Sequence, residues 1–281
     1  MTWDDEVDVL CVGSGLGGLA GAVAADDAGL DVLVAQPSAP SEGVPSLGAG
    51  VTDSDTLDYF AAVTGDAQPP SAAMWNADPP LRVVDALPPD KPRAAVAPFL
   101  GARLRDWASC CLASPYGFLH TRVSNRGTTM RTRDGEIVEV AAVGSLPPDT
   151  DAVTASELGD WLIAQARDRD VEVFDESPLQ RIVFEEGDVV GAVLATPDGP
   201  YAVRTHHGVI VTTSDRETDG TAMRTGLAGQ GIVEVCLVNK PASRFGRVEL
   251  VVAGEPVPPA HTLGVAEKCT GMRPSASSDS I

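Results

Sequence analysis

Residues 7–36, VDVLCVGSGLGGLAGAVAADDAGLDVLVAQ, leave the chain few choices of fold. The run Val7–Val12 is short, β-branched and closed by glycine, which marks a strand buried on both faces. Gly13, Gly15 and Gly18 follow at G-x-G-x-x-G spacing, and the small-residue segment Leu16–Ala28 reads as a helix closed by Gly29. Val32–Val34 is the next strand, parallel to the first because a helix separates them. Such a βαβ unit binds a dinucleotide for stated reasons. Gly13 makes the tight turn, Gly15 lets a pyrophosphate approach the backbone, and Gly18 lets the helix pack on the strand. Ser14, Leu16 and Gly17 complete the candidate loop, with the helix dipole aimed at the ligand. A tight packing turn that holds no ligand is the competing reading.

Gln36 stands where a working site usually carries a carboxylate. A carboxylate would accept ribose hydroxyls for about 1.5–3 kcal/mol each, and a neutral amide for roughly 0.5–1.5. The difference, on the order of 1 kcal/mol, is about five- to tenfold in affinity. No Lys or Arg precedes Arg82, whereas thirteen Asp and Glu do. A phosphate bound there relies on backbone N–H groups, and NADP, with its extra phosphate, is the least favoured ligand.

The whole chain carries 40 acids against 20 bases, a formal charge of −20, which repels nucleic acid and anionic membrane. Its only basic stretch runs from Arg103 to Arg133, with six arginines and one acid, Asp106. Arg122, Arg126, Arg131 and Arg133 are a candidate docking face for a protein partner, against the simpler role of neutralising the protein's own carboxylates. The five cysteines form no C-x-x-C pair, so neither a disulfide framework nor a zinc site is expected. The acidic start MTWDDEVDV is unlike a signal peptide, and no apolar run approaches membrane-spanning length. A cytoplasmic protein is expected.

Further along, eight prolines between 66 and 98 predict an irregular linker. A short helix around Leu104–Cys111 and two strands joined by Asp134-Gly135 follow. TASE, Thr154 to Glu157, has capping-box spacing and starts a helix over 154–169. Short strands come next, around Val171–Phe174, Arg181–Glu185, Val189–Thr196 and Tyr201–Thr205, then GVIVTT at Gly208–Thr213. Ile232–Val238 and Arg247–Val252 are the last periodic runs, and 270–281 reads as a disordered tail. The expected organisation is a discontinuous α/β core (1–65 and 150–215) with a parallel sheet and a β-meander. The linker and insertion occupy 66–149, and C-terminal strands occupy 216–269.

Together the glycine block, the capped helix, the meander and the closing GVIVTTSD resemble the FAD-binding domain of the fumarate reductase/succinate dehydrogenase flavoprotein and ketosteroid dehydrogenase family. The resemblance covers 5–65 and 150–215, about half the chain, and implies a Rossmann-like FAD/NAD(P)-binding fold with FAD as cofactor. It places the ADP half on Gly13, Ser14, Gly15, Leu16, Gly17 and Gly18, with Gln36 at the family's ribose-binding acid. The sequence departs from the family at Ser214 and Asp215, where a pair of glycines is usual. The family's Gly/Ser/Thr-rich flavin segment is reduced to GVPSLGAGVTD, and neither the substrate-capping segment nor a second glycine-rich motif is visible after Asp215. The implied function is a FAD-dependent oxidoreductase acting on a steroid-like or small apolar substrate. The alternative is a non-catalytic subunit of the same fold that works through a protein partner.

Other chemistry-bearing residues have plainer readings. Tyr116 and His120 offer a proton donor and a relay, or simply packing. His206-His207 reads as an exposed strand start, and Cys110-Cys111, with no activating base at hand, as small buried residues.

Overall fold

The computed structural model describes residues 2–13, 15–37, 47–48, 50–65, 78–86, 101–122, 127–212, 224–254 and 257. Ser14, Arg126, Ser214, Asp215, most of the proline-rich linker and the 270–281 tail lie outside the described residues. The chain enters through β1 (Asp5–Val7) and β2 (Val9–Val12), turns into α1 (Leu16–Asp27) and returns as β3 (Val32–Ala35). Next come α2 (Ser54–Thr64), β4 (Leu81–Ala86), α3 (Gly101–Leu112), β5 (Gly117–His120), β6 (Thr128–Thr132) and β7 (Ile137–Ser145). β8 (Ala152–Val153) leads to α4 (Ala155–Asp168), β9 (Glu172–Phe174), the meander β10 (Leu179–Glu185), β11 (Asp188–Thr196), β12 (Gly199–Thr205), and β13 (Val209–Thr212). β14 (Thr225–Gly226), β15 (Val233–Asn239) and β16 (Phe245–Ala253) complete the described elements.

The run expected as one strand, Val7–Val12, serves two sheets. Val7 pairs with Thr205 of the meander, whereas Val9 onward pairs with β3 and β13. The change falls at Asp8, whose carboxylate accepts the Asp31 N–H at 3.0 Å. β9, β3, β2 and β13 run parallel, as the βαβ reading requires. β5 then joins β13 antiparallel, so the sheet is mixed rather than wholly parallel.

Beyond β5 the same sheet closes on itself. β15, β7, β6, β4 and β16 are hydrogen-bonded in that order, and β16 pairs back onto β15, making a five-stranded barrel. Strands from the 66–149 segment and from the C-terminal segment therefore share one closed structure. β16 belongs to both halves: Phe245–Arg247 pair with β5, and Leu250–Ala253 pair with β4.

The large sheet separates two cores. On one side α1 and α4 pack against Val9, Val34, Ile210 and the barrel residues Ala141, Val143, Val235, Leu237, Val248 and Leu250. Ten of the twelve α1 residues are buried, and LGGLAGAVAA has no polar face to turn outward, as a central helix requires. On the other side lie α2, α3, the meander and the barrel residues Val84, Met130, Val138, Val140, Cys236, Val238 and Val251.

Among these apolar residues sits a charged cluster. Glu249, 1% exposed, accepts from Arg82 through both carboxylate oxygens and from Arg247 Nε at 2.5 Å. Lys240 pairs with Glu136 at 2.7 Å, and the Trp107 ring lies within 6.0 Å of the Arg82, Lys240 and Arg247 cations. Trp107 Nε1 donates to the Phe245 carbonyl at 2.8 Å, fixing α3 on β16.

Candidate nucleotide-binding site

The capped ends of α1 and α4 differ in a way that bears on function. Thr154 caps α4, its hydroxyl accepting from Glu157 N–H while the Glu157 carboxylate accepts from Thr154 N–H, the capping box expected from TASE. α1 has no such device. Its N-cap is Gly15, extended at φ −65° and ψ 158°, with no side-chain cap and no acid in the first turn. Among the described residues of its own first turn no carboxylate neutralises the positive end of its dipole, which is what an anion site needs.

The turn is fixed from several sides. Gly13 has φ +99°, and a Cβ there would collide with the Thr212 side chain, so only glycine fits. Its N–H donates to the Ala35 carbonyl at 2.8 Å, tying the turn to the end of β3 one residue before Gln36. Gln36 is itself held: its N–H donates to Phe174 at 2.8 Å, and its carbonyl accepts from Ser177 N–H at 2.7 Å. The structure thus brings Gly13 and Gln36 to neighbouring strand ends. A Cβ on Gly18 would lie 2.8 Å from both the Gly13 carbonyl oxygen and Thr212 Cγ2, so Gly18 is the close helix-on-strand contact. Gly17 is equally close-packed, against the Gly117 carbonyl and Phe118. Leu16 is buried and points toward Gly159 of α4. Gly13, Gly15, Gly17 and Gly18 are all buried.

Thr212 and Phe118 were not singled out from sequence. Thr212 closes the GVIVTT strand, so its place beside the turn was readable; its hydroxyl donates to the Val12 carbonyl at 3.3 Å. Phe118 reaches Gly17 only because β5 joins β13, a pairing that no local pattern announces.

The remaining candidates lie apart from the turn's chemistry. Tyr116 is fully buried in the α1 core, and burial pushes its phenol up, with the Asp78 charge adding to it. His120 is 3% exposed and meets the Phe118 ring edge-on at 5.0 Å. Burial holds the Cys111 thiol well above its usual range, which disfavours a nucleophile, while Cys110 is exposed. His206 is a surface residue 3.0 Å from Glu6. Arg122 donates to the His206 and Val189 carbonyls, so it ties the bend after β5 to the meander; Arg131 and Arg133 are exposed on the β6–β7 hairpin. Among the described residues no group of three or more His, Cys, Asp or Glu could hold a metal, and no helix is long and apolar enough to cross a membrane.

A protein-family model, the FAD binding domain, matches residues 8–242. A chain built on a βαβ glycine turn and matched over most of its length belongs to that family: it is a member of the FAD binding domain family, with a flavoprotein fold of mixed sheets. FAD is the cofactor this membership assigns. Among solved structures the chain is similar to 3-ketosteroid-Δ4-(5α)-dehydrogenase from Rhodococcus jostii RHA1 in complex with 4-androstene-3,17-dione. The identity is 19%, over 75% of this chain and 46% of that one, with a TM-score of 0.33. It is also similar to the open conformation of a flavocytochrome c3 fumarate reductase, at 16% identity over 72% of this chain and 33% of that one, TM-score 0.31. A geranylgeranyl bacteriochlorophyll reductase-like protein from Thermoplasma acidophilum matches at 16% identity over 72% of this chain and 38% of that one, TM-score 0.29. The chain thus spans less than half the length of each of these structures. No curated protein matches it.

Proposed function

We propose that the chain holds FAD in a FAD-dependent oxidoreductase acting on a small apolar or steroid-like substrate. One observation carries the cofactor part: an uncapped, acid-free helix N-terminus meets a glycine turn at the C-terminal edge of parallel strands. The backbone N–H groups of Gly15, Leu16 and Gly17 would hold the pyrophosphate, and Gln36 would accept from the adenosine ribose. FAD, when bound, supplies the electron exchange. The chain's own residues bind and orient it: Gly13 and Thr212 fix the turn, and the Ala35 and Phe174 carbonyls fix the strand ends around Gln36. Gln36, offering a neutral amide where a carboxylate would bind the ribose more tightly, makes the affinity low.

The second reading is a non-catalytic subunit acting through a partner. It is favoured by the packing of Tyr116 and His120 into the core, which withdraws the two acid–base candidates read from the sequence from any substrate. Exposed Arg131 and Arg133 are the docking residues this reading offers.

Calorimetric titration of FAD tests the first reading, with Gly15→Asp as control. A carboxylate at position 15 occupies the pyrophosphate space and repels it, so that variant should lose binding. Absence of heat with the native chain, or equal binding by Gly15→Asp, overturns the proposed site. Dye reduction with ketosteroid, fumarate or succinate then separates the two functions.

A further inference from the structure

A cavity of about 730 Å³ opens between the 145–151 loop, the 227–233 loop and α4. Two backbone hydrogen bonds frame it, Leu146 N–H to the Val233 carbonyl at 2.9 Å and Leu227 N–H to the Asp151 carbonyl at 2.7 Å. The cavity is therefore preformed, and its size falls within the roughly 300–1,000 Å³ of small-molecule sites. Buried Leu146, Leu227 and Val233 line it, and Trp161 forms one wall. That indole has a seat: a Cβ on Gly144 would lie 3.0 Å from its Cη2, so the absent side chain makes room for the ring. At the rim Ile232 is 61% exposed, an unusual placing for a large aliphatic residue.

The polar character of the site has one sign. Asp151 lines this cavity and the adjoining hollow, where Asp149 stands, and neither carboxylate has an ion pair among the described residues. The acid and base beside them cancel, since Glu157 is paired with Arg224 at 2.9 Å. An aromatic wall, an apolar floor and an acidic rim together select a cation carried on an apolar ring system, through stacking and cation–π attraction.

We propose that this cavity binds a ring-bearing organic cation of small-molecule size. The site is separate from the glycine turn: Gly159 faces Leu16 of α1, and Trp161 lies about 160° from it around the helix. The proposal does not rest on the cofactor reading, and FAD should not compete.

Thioflavin T, a cationic aromatic dye, is the probe, titrated into the full chain by fluorescence and calorimetry. It should bind saturably with quenching of tryptophan emission, while anionic anilinonaphthalene sulfonate binds far more weakly. Asp151→Asn should weaken the dye about fivefold, the effect of roughly 1 kcal/mol from one rim charge. Ile232→Lys, at an exposed position that leaves folding intact, should weaken it by about tenfold or more through like-charge repulsion. Asp198→Asn, on the β11–β12 turn, controls for the general attraction of an acidic protein and should change nothing. Equal effects of Asp151→Asn and Asp198→Asn would overturn the proposal. So would no effect of Ile232→Lys, equal binding of the anionic dye, competition by FAD, or no saturable binding at millimolar dye.

Discussion

Glu249→Gln is expected to be among the most damaging single substitutions outside the glycine turn. The native carboxylate is 1% exposed and takes three charge-assisted bonds, two from Arg82 and one from Arg247. Neither arginine can swing freely into water, with side chains only 16% and 22% exposed. A neutral amide keeps the volume of the side chain but removes the charge facing two guanidinium groups. Removing one partner from a buried pair costs about 3–5 kcal/mol, and a whole domain commonly has about 5–15 kcal/mol in hand. Urea unfolding followed by circular dichroism should therefore show a midpoint far below that of the native chain. The triple variant Glu249→Leu, Arg82→Met, Arg247→Leu removes the orphaned charges as well, and should recover much of the loss. A loss below about 1 kcal/mol for Glu249→Gln would refute the reasoning, because it would mean that water reaches both arginines.

Three further outcomes are expected. Gln36→Glu should tighten FAD about five- to tenfold by calorimetry if the residue contacts the ribose, and an unchanged dissociation constant removes it from the site. Asn239→Leu should destabilise the fold by about 1–3 kcal/mol although the Asn239 side-chain oxygen finds no partner among the described residues, since the larger side chain does not fit the space above Gly246. A raised melting temperature would show that the row has room to spare. Burial raises the Glu139 carboxyl above its usual range, so folding favours the protonated form. Its stabilising contribution is complete below the unfolded-state value of about 4.5 and is lost as pH rises through the higher folded-state value. Glu139→Gln should flatten that part of the stability profile, and an identical profile would mean that the carboxyl is solvated.

What was readable in the sequence follows the range of the forces that write it. The glycine turn, the capping box at Thr154 and the Asp134-Gly135 hairpin, with Gly135 at φ +83°, are each decided within a few residues. The barrel is decided by pairing across distance: Leu81 faces Leu250, and Ala142 faces Cys236. Alternation in Ile232–Val238 and Arg247–Val252 marked strands but could not name their neighbours, since period-2 patterns fix a face and leave the partner open. The charged cluster was invisible for the same reason. Arg82, Lys240, Arg247 and Glu249 look like ordinary surface charges until β4, β15 and β16 close around them.

Closure of the barrel also ties it to the glycine turn through one row of directly paired residues. Thr212 faces Phe118, Phe118 faces Gly246, Gly246 faces Asn239, and Asn239 faces Glu139. Directly opposed residues share a face of the sheet, here the face that carries α1. At one end Thr212 lies beneath Gly13 and Gly18; next to it Phe118 touches Gly17 with one side of its ring and the space above Gly246 with the other. Asn239 fills what remains of that space, and Glu139 closes the row half-buried. A close-packed row has no slack, because interiors at crystal-like density pass a displacement on rather than absorb it. The glycine at 246 is therefore part of the glycine turn's support although it lies on a barrel strand. The barrel is not an appendage that could be removed while leaving the turn as it is: β16 carries both the wall of one and the backing of the other.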